Sequence, residues 1–191
     1  MWDEYAITHP ITEDSYRAEP TQWARVQKLL DRCVGSVLDV GAGDGWIAQQ
    51  LISRGHDVGC VEASQTRVER ITVLGIDAWC ETSLGGFKDG SWDTVLLGEV
   101  LEHLEDPGAL LKDAFRIARE RVVISLPLLG WCDPTHLWRV SLDHFVTPNP
   151  RDDGRPASSE QIIITMQRGE CWPMGYMDQD PRWQAQFRDG C

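Results

Sequence analysis

Short runs of apolar residues alternate along the chain with longer stretches in which apolar positions recur every three or four residues. The runs read as buried strands and the longer stretches as amphipathic helices. Thr21 can cap a helix over 21–33, with Trp23, Val26, Leu29 and Leu30 on one face. An apolar run over 36–40 ends at glycines and predicts a first strand. A helix over 46–54 stops at Gly55, and a second strand follows over 57–61. Ser64 caps a helix to about residue 74, stopped by Gly75, before a third strand over 76–80. Residues 81–91, with Gly85, Gly86 and Gly90, predict a loop, and 92–98 a fourth strand. Asp106-Pro107 pairs a cap with a proline in the first turn of a helix to about 118. A fifth strand over 121–126 ends at Pro127.

This alternation predicts an α/β fold: a doubly wound, mostly parallel sheet with helices on both faces. Right-handed crossovers set the winding. Beyond Pro127 the pattern weakens. Residues 147–159 read as loop, 161–167 with Ile162, Ile163 and Ile164 as one more strand, and 169–191 carry no assignment. Residues 1–20 are polar and mixed and read as an irregular arm. The expected organisation is an arm over 1–20, one domain over 21–170 and a tail over 171–191, with a shortened C-terminal part.

The 191 residues suit one domain, and 42% hydrophobic with 25% charged residues is ordinary globular usage. The net charge of −12, without any run of Lys or Arg, disfavours extended nucleic acid and anionic membrane surfaces as partners. Cys33, Cys60, Cys80, Cys132, Cys171 and Cys191 form no C-x-x-C pair and read as reduced thiols of a cytoplasmic protein. The start of the chain, Met1-Trp2-Asp3-Glu4-Tyr5, does not read as a signal peptide, and no apolar run approaches the ~18 residues of a membrane span.

Chemistry concentrates at the carboxyl ends of the expected strands, where open α/β sheets bind ligands. The first turn reads Val37-Leu38-Asp39-Val40-Gly41-Ala42-Gly43-Asp44-Gly45. Its glycines let backbone approach a ligand closely. Their spacing is G-x-G-x-G, not the G-x-G-x-x-G aimed at a pyrophosphate. An acid two residues before the first glycine suits an ammonium, which favours the methionine end of S-adenosylmethionine. Glu62, after the second strand, can accept both ribose hydroxyls. Glu81, with Thr82 after the third, can accept the adenine amino hydrogen. The fourth strand leads into Gly98-Glu99-Val100-Leu101-Glu102-His103.

Taken together, VLDVGAGDG, VEAS and SWDTVLLGEVLEHLEDP resemble the class I S-adenosylmethionine-dependent methyltransferases over about residues 35–145. The likeness is greatest to the small-molecule and quinone-type branch. It implies a Rossmann-like methyltransferase fold and a cofactor site of Asp39, Gly41, Ala42, Gly43, Gly45, Trp46, Glu62, Ala63, Glu81, Thr82, Leu97, Gly98 and Glu99. Asp39 would fix the glycine loop and the ammonium, and the Leu97–Gly98 backbone would lie near the sulfonium.

Glu99-x-x-Glu102-His103 and the later His136 support three readings, one of them a purely structural role in capping the helix and in hydrogen bonds beneath the cofactor. In relatives acting on RNA ends, a similar segment binds a divalent ion with a downstream His, which implies Glu99, Glu102, His103 and His136 around Mg or Mn. The same groups suit hard-cation chemistry. Alternatively His103 or His136, with Glu99 beside them, serves as general base, since imidazole titrates near neutrality. The expected activity is in-line methyl transfer to an O or N of a small molecule or sugar. Its alternatives are metal-assisted 2′-O-methylation of an RNA terminus and a catalytically silent cofactor-binding subunit. The arm would close over the ligand as a lid, and a partner chain or second copy would cover the substrate side.

Overall fold

The computed structural model describes residues 2–18, 20–127, 137–139, 147–148 and 161–167. Three helices open the chain: α1 (Trp2–Thr8), α2 (Glu13–Arg17) and α3 (Pro20–Leu30). Five units of the sheet follow in alternation: β1 (Val37–Val40), α4 (Trp46–Ser53), β2 (Val58–Glu62), α5 (Gln65–Val73) and β3 (Asp77–Cys80). Next come β4 (Trp92–Gly98), a single 3₁₀ turn (Leu101–His103), α6 (Pro107–Ile117) and β5 (Ala118–Pro127). The short β6 (Trp138–Arg139) and β7 (Thr147–Pro148) pair with each other, and β8 (Gln161–Gln167) completes the main sheet.

The main sheet runs β3-β2-β1-β4-β5-β8, parallel except for β8, which pairs antiparallel with β5. Strand order reverses between β1 and β4, so a crevice opens beyond their carboxyl ends. Side chains alternate across the sheet with the period of two that a strand imposes. Leu38, Val40, Val95, Leu97, Val122 and Ile124 pack with α6 residues Leu111, Ala114 and Ile117 on one face. Val37, Leu96 and Val123 pack with Val26 and Leu29 of α3 and Ile47, Ala48 and Leu51 of α4 on the other. Among the described residues no helix is long and apolar enough to cross a membrane.

Local chemistry sets the helix starts. The Ser64 hydroxyl accepts the Arg67 N–H, and the Asp106 carboxylate accepts the N–H groups of Gly108 and Ala109.

Three expectations change. The arm is not irregular: Thr12 and Ser15 form a reciprocal cap that starts α2, and α1 is held against α5 by tertiary contacts. The fifth strand begins at Ala118, directly at the end of α6, rather than at residue 121. Thr147 and Pro148 are not loop but pair with Trp138 and Arg139, in a ladder too short for a periodic signal. The expected tail over 171–191 lies outside the described residues.

Candidate functional site

A cavity of about 520 Å³ lies over the carboxyl ends of β1, β2 and β4. That volume suits a ligand of nucleoside size. Its floor is the bend leaving β1. Gly41, Gly43 and Gly45 all have positive φ, 72°, 59° and 80°. The bend is tied to β2: Gly41 N–H and Ala42 N–H both donate to the Val61 carbonyl, at 2.7 and 3.2 Å. The Glu62 carboxylate fixes it further, accepting Gly43 N–H at 2.9 Å and Ser64 N–H at 3.1 Å. Space is as restricted as conformation. A Cβ on Gly41 would lie 2.5 Å from Val100 Cγ2, and one on Gly43 would lie 2.9 Å from Ile11 Cδ1.

Charge is distributed unevenly around this floor. Asp39, only 3% exposed, lines the cavity, and its Oδ2 has no hydrogen-bond partner among the described residues. Burial, and then the Glu62 charge, push its carboxyl up to about 7. Arg25, 6% exposed, reaches the same cavity from α3. Its Nε donates to Gln22 Oε1 at 3.0 Å and its Nη1 to Ser125 Oγ at 3.1 Å. The Ser125 hydroxyl in turn donates to Glu99 Oε1 at 3.0 Å. Glu99 has φ 59°, the left-handed region that non-glycine residues seldom occupy. Burial raises its pKa, opposed by the Arg25 charge and the Ser125 hydrogen bond.

The opening helices form the remaining walls. Asp3 of α1 accepts from Ser64 Oγ at 2.7 Å and Thr66 N–H at 3.0 Å. Arg67 and Arg70 of α5 donate to the carbonyls of His9 and Ala6, at 3.2 and 3.1 Å. Asp44 in the glycine bend accepts from Arg70 Nη1 at 2.7 Å and from the Ile11 N–H. Trp2 lies edge-on to His103, ring centroids 5.9 Å apart, and both line the cavity.

Residues 21–149, more than half of the chain, match the family described as methionine biosynthesis protein MetW. The chain belongs to the MetW family. Its fold is that of the class I S-adenosylmethionine-dependent methyltransferase superfamily. The ubiquinone biosynthesis O-methyltransferase of Parvibaculum lavamentivorans is 28% identical over 143 residues, covering 61% of this chain and 55% of that protein. The chain spans about half the length of the curated relatives it matches. The N-methyltransferase NodS from Bradyrhizobium japonicum WM9, in complex with S-adenosyl-L-homocysteine, superposes with a TM-score of 0.54 at 16% identity, covering 64% of this chain and 71% of NodS. A SAM-dependent methyltransferase from Archaeoglobus fulgidus gives 0.54 at 20% identity, covering 65% of this chain and 64% of its own.

In this MetW-family chain, eleven of the residues singled out from sequence line the cavity: Asp39, Gly41, Ala42, Gly43, Glu62, Ala63, Glu81, Thr82, Gly98, Glu99 and His103. Four do not. Gly45 starts α4 and faces Ile71, where a Cβ would lie 3.0 Å from Ile71 Cγ1. Trp46 packs behind the wall, stacked on Tyr16 at 4.8 Å. Leu97 is buried in the α6-side core, because its place in β4 points it away from the α3 face. Glu102 is buried on the 3₁₀ turn, whose carbonyl accepts the Leu137 N–H at 2.7 Å. His136 lies outside the described residues. Among the described residues, no group of three or more His, Cys, Asp or Glu side chains comes together as a metal site.

Sequence reasoning missed Arg25, Gln22 and Ser125. A signal existed for Arg25: Gln22, Arg25 and Leu29 share one helix face, so a charge falls on a buried stripe.

Proposed function

We propose that the chain is an S-adenosylmethionine-dependent methyltransferase acting on an O or N atom of a small molecule. One observation carries this reading. The glycine bend and the buried Asp39 oxygen, unpartnered among the described residues, lie at the floor of a nucleoside-sized cavity that Arg25 also lines. An adenosyl amino acid carries complementary groups: an ammonium, a carboxylate, a ribose diol and an adenine edge. An unpaired buried carboxylate is costly unless a cation meets it.

When bound, the cofactor supplies a sulfonium-activated methyl group for in-line displacement. Asp39 would face the ammonium and Arg25 the carboxylate. Glu62 would accept the ribose hydroxyls while it holds the Gly43 and Ser64 amides. Glu81 and Thr82 would meet the adenine edge. Holding reacting atoms at attack distance accounts for roughly 7–11 kcal/mol of barrier in such reactions. His103 lines the cavity and would accept the proton of a hydroxyl acceptor; an amine acceptor needs positioning alone. The net charge of −12 supports a small acceptor over a long polyanion.

Calorimetry with S-adenosylhomocysteine tests the reading. Binding to the wild type is expected, with loss in Gly43→Val. No binding, or binding of a nicotinamide dinucleotide in its place, overturns it.

A further inference from the structure

Position 125 breaks the pattern of its own strand. Val123, two residues earlier on the same face of β5, packs into the apolar core shared with α3 and α4. A side chain at 125 pointing the same way would ordinarily be apolar. The residue is instead a serine, 0% exposed. A buried hydroxyl is unfavourable unless its hydrogen bonds are made.

Ser125 makes three contacts with the cavity wall, and all involve the same two residues. Its carbonyl accepts the Glu99 N–H at 3.1 Å, just past the point where β4 and β5 pair through Gly98 and Ser125. Its hydroxyl donates to Glu99 Oε1 at 3.0 Å and accepts from Arg25 Nη1 at 3.1 Å. Backbone and side chain of Glu99 are therefore both anchored to one residue, and Glu99 is the position held in the left-handed conformation. Strained backbone persists where its surroundings over-determine it, and Ser125 supplies that constraint. Arg25 is a long side chain with many rotamers, yet Gln22 holds its Nε and Ser125 its Nη1. Two pinned nitrogens fix the plane of the guanidinium. A Cβ on Gly98 would lie 3.8 Å from Arg25 Nη1 and 3.9 Å from Ser125 Oγ, so the trio sits directly beside the end of β4.

We propose that Ser125 is a positioning residue for the amino-acid end of the bound cofactor, its single hydroxyl orienting Arg25 and Glu99 together. This rests on the cofactor reading given above. Ser125 need not touch the ligand; it acts by preparing two charged side chains before the ligand arrives, which lowers the ordering cost of binding.

Two probes separate this role from a general loss of structure. S-adenosylhomocysteine carries the amino-acid end, whereas 5′-methylthioadenosine lacks it. Ser125→Ala is expected to weaken S-adenosylhomocysteine about tenfold while 5′-methylthioadenosine changes by less than about twofold. Ser125→Thr keeps the hydroxyl and should restore most of the loss. In an Arg25→Gln background, Ser125→Ala should add little. An Ala variant that binds both probes like the wild type, an equal loss on both, or a Thr variant as weak as the Ala one overturns the proposal. A wild-type protein that binds neither probe overturns the cofactor reading itself.

Discussion

Glu62 Oε2 accepts the backbone N–H of Gly43 at 2.9 Å, so the acid that ends β2 holds open the bend that leaves β1. The other oxygen takes the Ser64 N–H at 3.1 Å, at the start of α5. Glu62→Ala leaves two buried donors without an acceptor, each costing about 1–3 kcal/mol. A lower Tm and S-adenosylhomocysteine binding about a hundredfold weaker are expected. Glu62→Gln keeps one acceptor oxygen and should fall between. An Ala variant with wild-type Tm and affinity would contradict this account.

Gly41 faces two obstacles to any side chain: φ of 72° and Val100 Cγ2 only 2.5 Å from where a Cβ would sit. Gly41→Ala should lower stability by on the order of 1–2 kcal/mol from backbone conformation alone, and weaken ligand binding further through the clash. Adding Val100→Ala removes the clash and leaves the conformational cost. Partial recovery in the double variant, read by thermal unfolding and calorimetry, is the expected result; no recovery would show that the contact is not the obstacle.

Asp39 gives the chain a pH signature. Burial, then Glu62, lift its carboxyl to about 7. The folded chain then binds a proton that the unfolded chain has released, so stability falls as pH rises from about 4 to about 7. Asp39→Asn should raise Tm at pH 8, by on the order of 5 °C, with little gain near pH 4. A bound ammonium would lower the Asp39 pKa, so binding should release a proton and tighten between pH 5.5 and 7.5. Calorimetry in buffers of different ionisation enthalpy measures this, and a flat profile without proton release would rule it out.

Asp3 clasps the opening helix to α5. The Ser64 hydroxyl, then the Thr66 N–H, hold its carboxyl below the usual range. Its contribution to docking is present above the ordinary Asp range and is lost as pH falls through the lowered value. Asp3→Ala should speed amide exchange over residues 2–17 and leave α4 and α6 unchanged. Slowed exchange there on adding S-adenosylhomocysteine would support closure over the ligand. Uniform exchange with and without it would argue against a lid.

The strands over 92–98 and 161–167 were readable to their ends because each is a short β-rich run with polar or glycine-rich flanks. Ser64 and Asp106 marked their helices because capping is local chemistry. The glycine bend and Glu62 were readable for the same reason: their order along the chain survives folding. The helices over 2–17 were not. Their sequence is polar, and α1 is held by Asp3, Arg67 and Arg70 contacts that exist only once α5 is in place. Arg25 and Ser125 lie 100 positions apart, and nothing near either residue announces the other. Trp46 and Leu97 each adjoin a wall residue, but helix and strand turn their side chains away from the cavity, which order along the chain does not reveal.

One carboxylate, Asp44 of the bend that floors the cavity, holds the opening segment through the Ile11 N–H on one oxygen and α5 through Arg70 on the other. Bend and opening segment therefore cannot shift independently. If the opening helices act as a lid, a solute leaving beneath Ile11 would need that joint to loosen, and its residence time would follow their undocking. Two chains with the same affinity could then turn over at very different speeds, according to how firmly this joint is made.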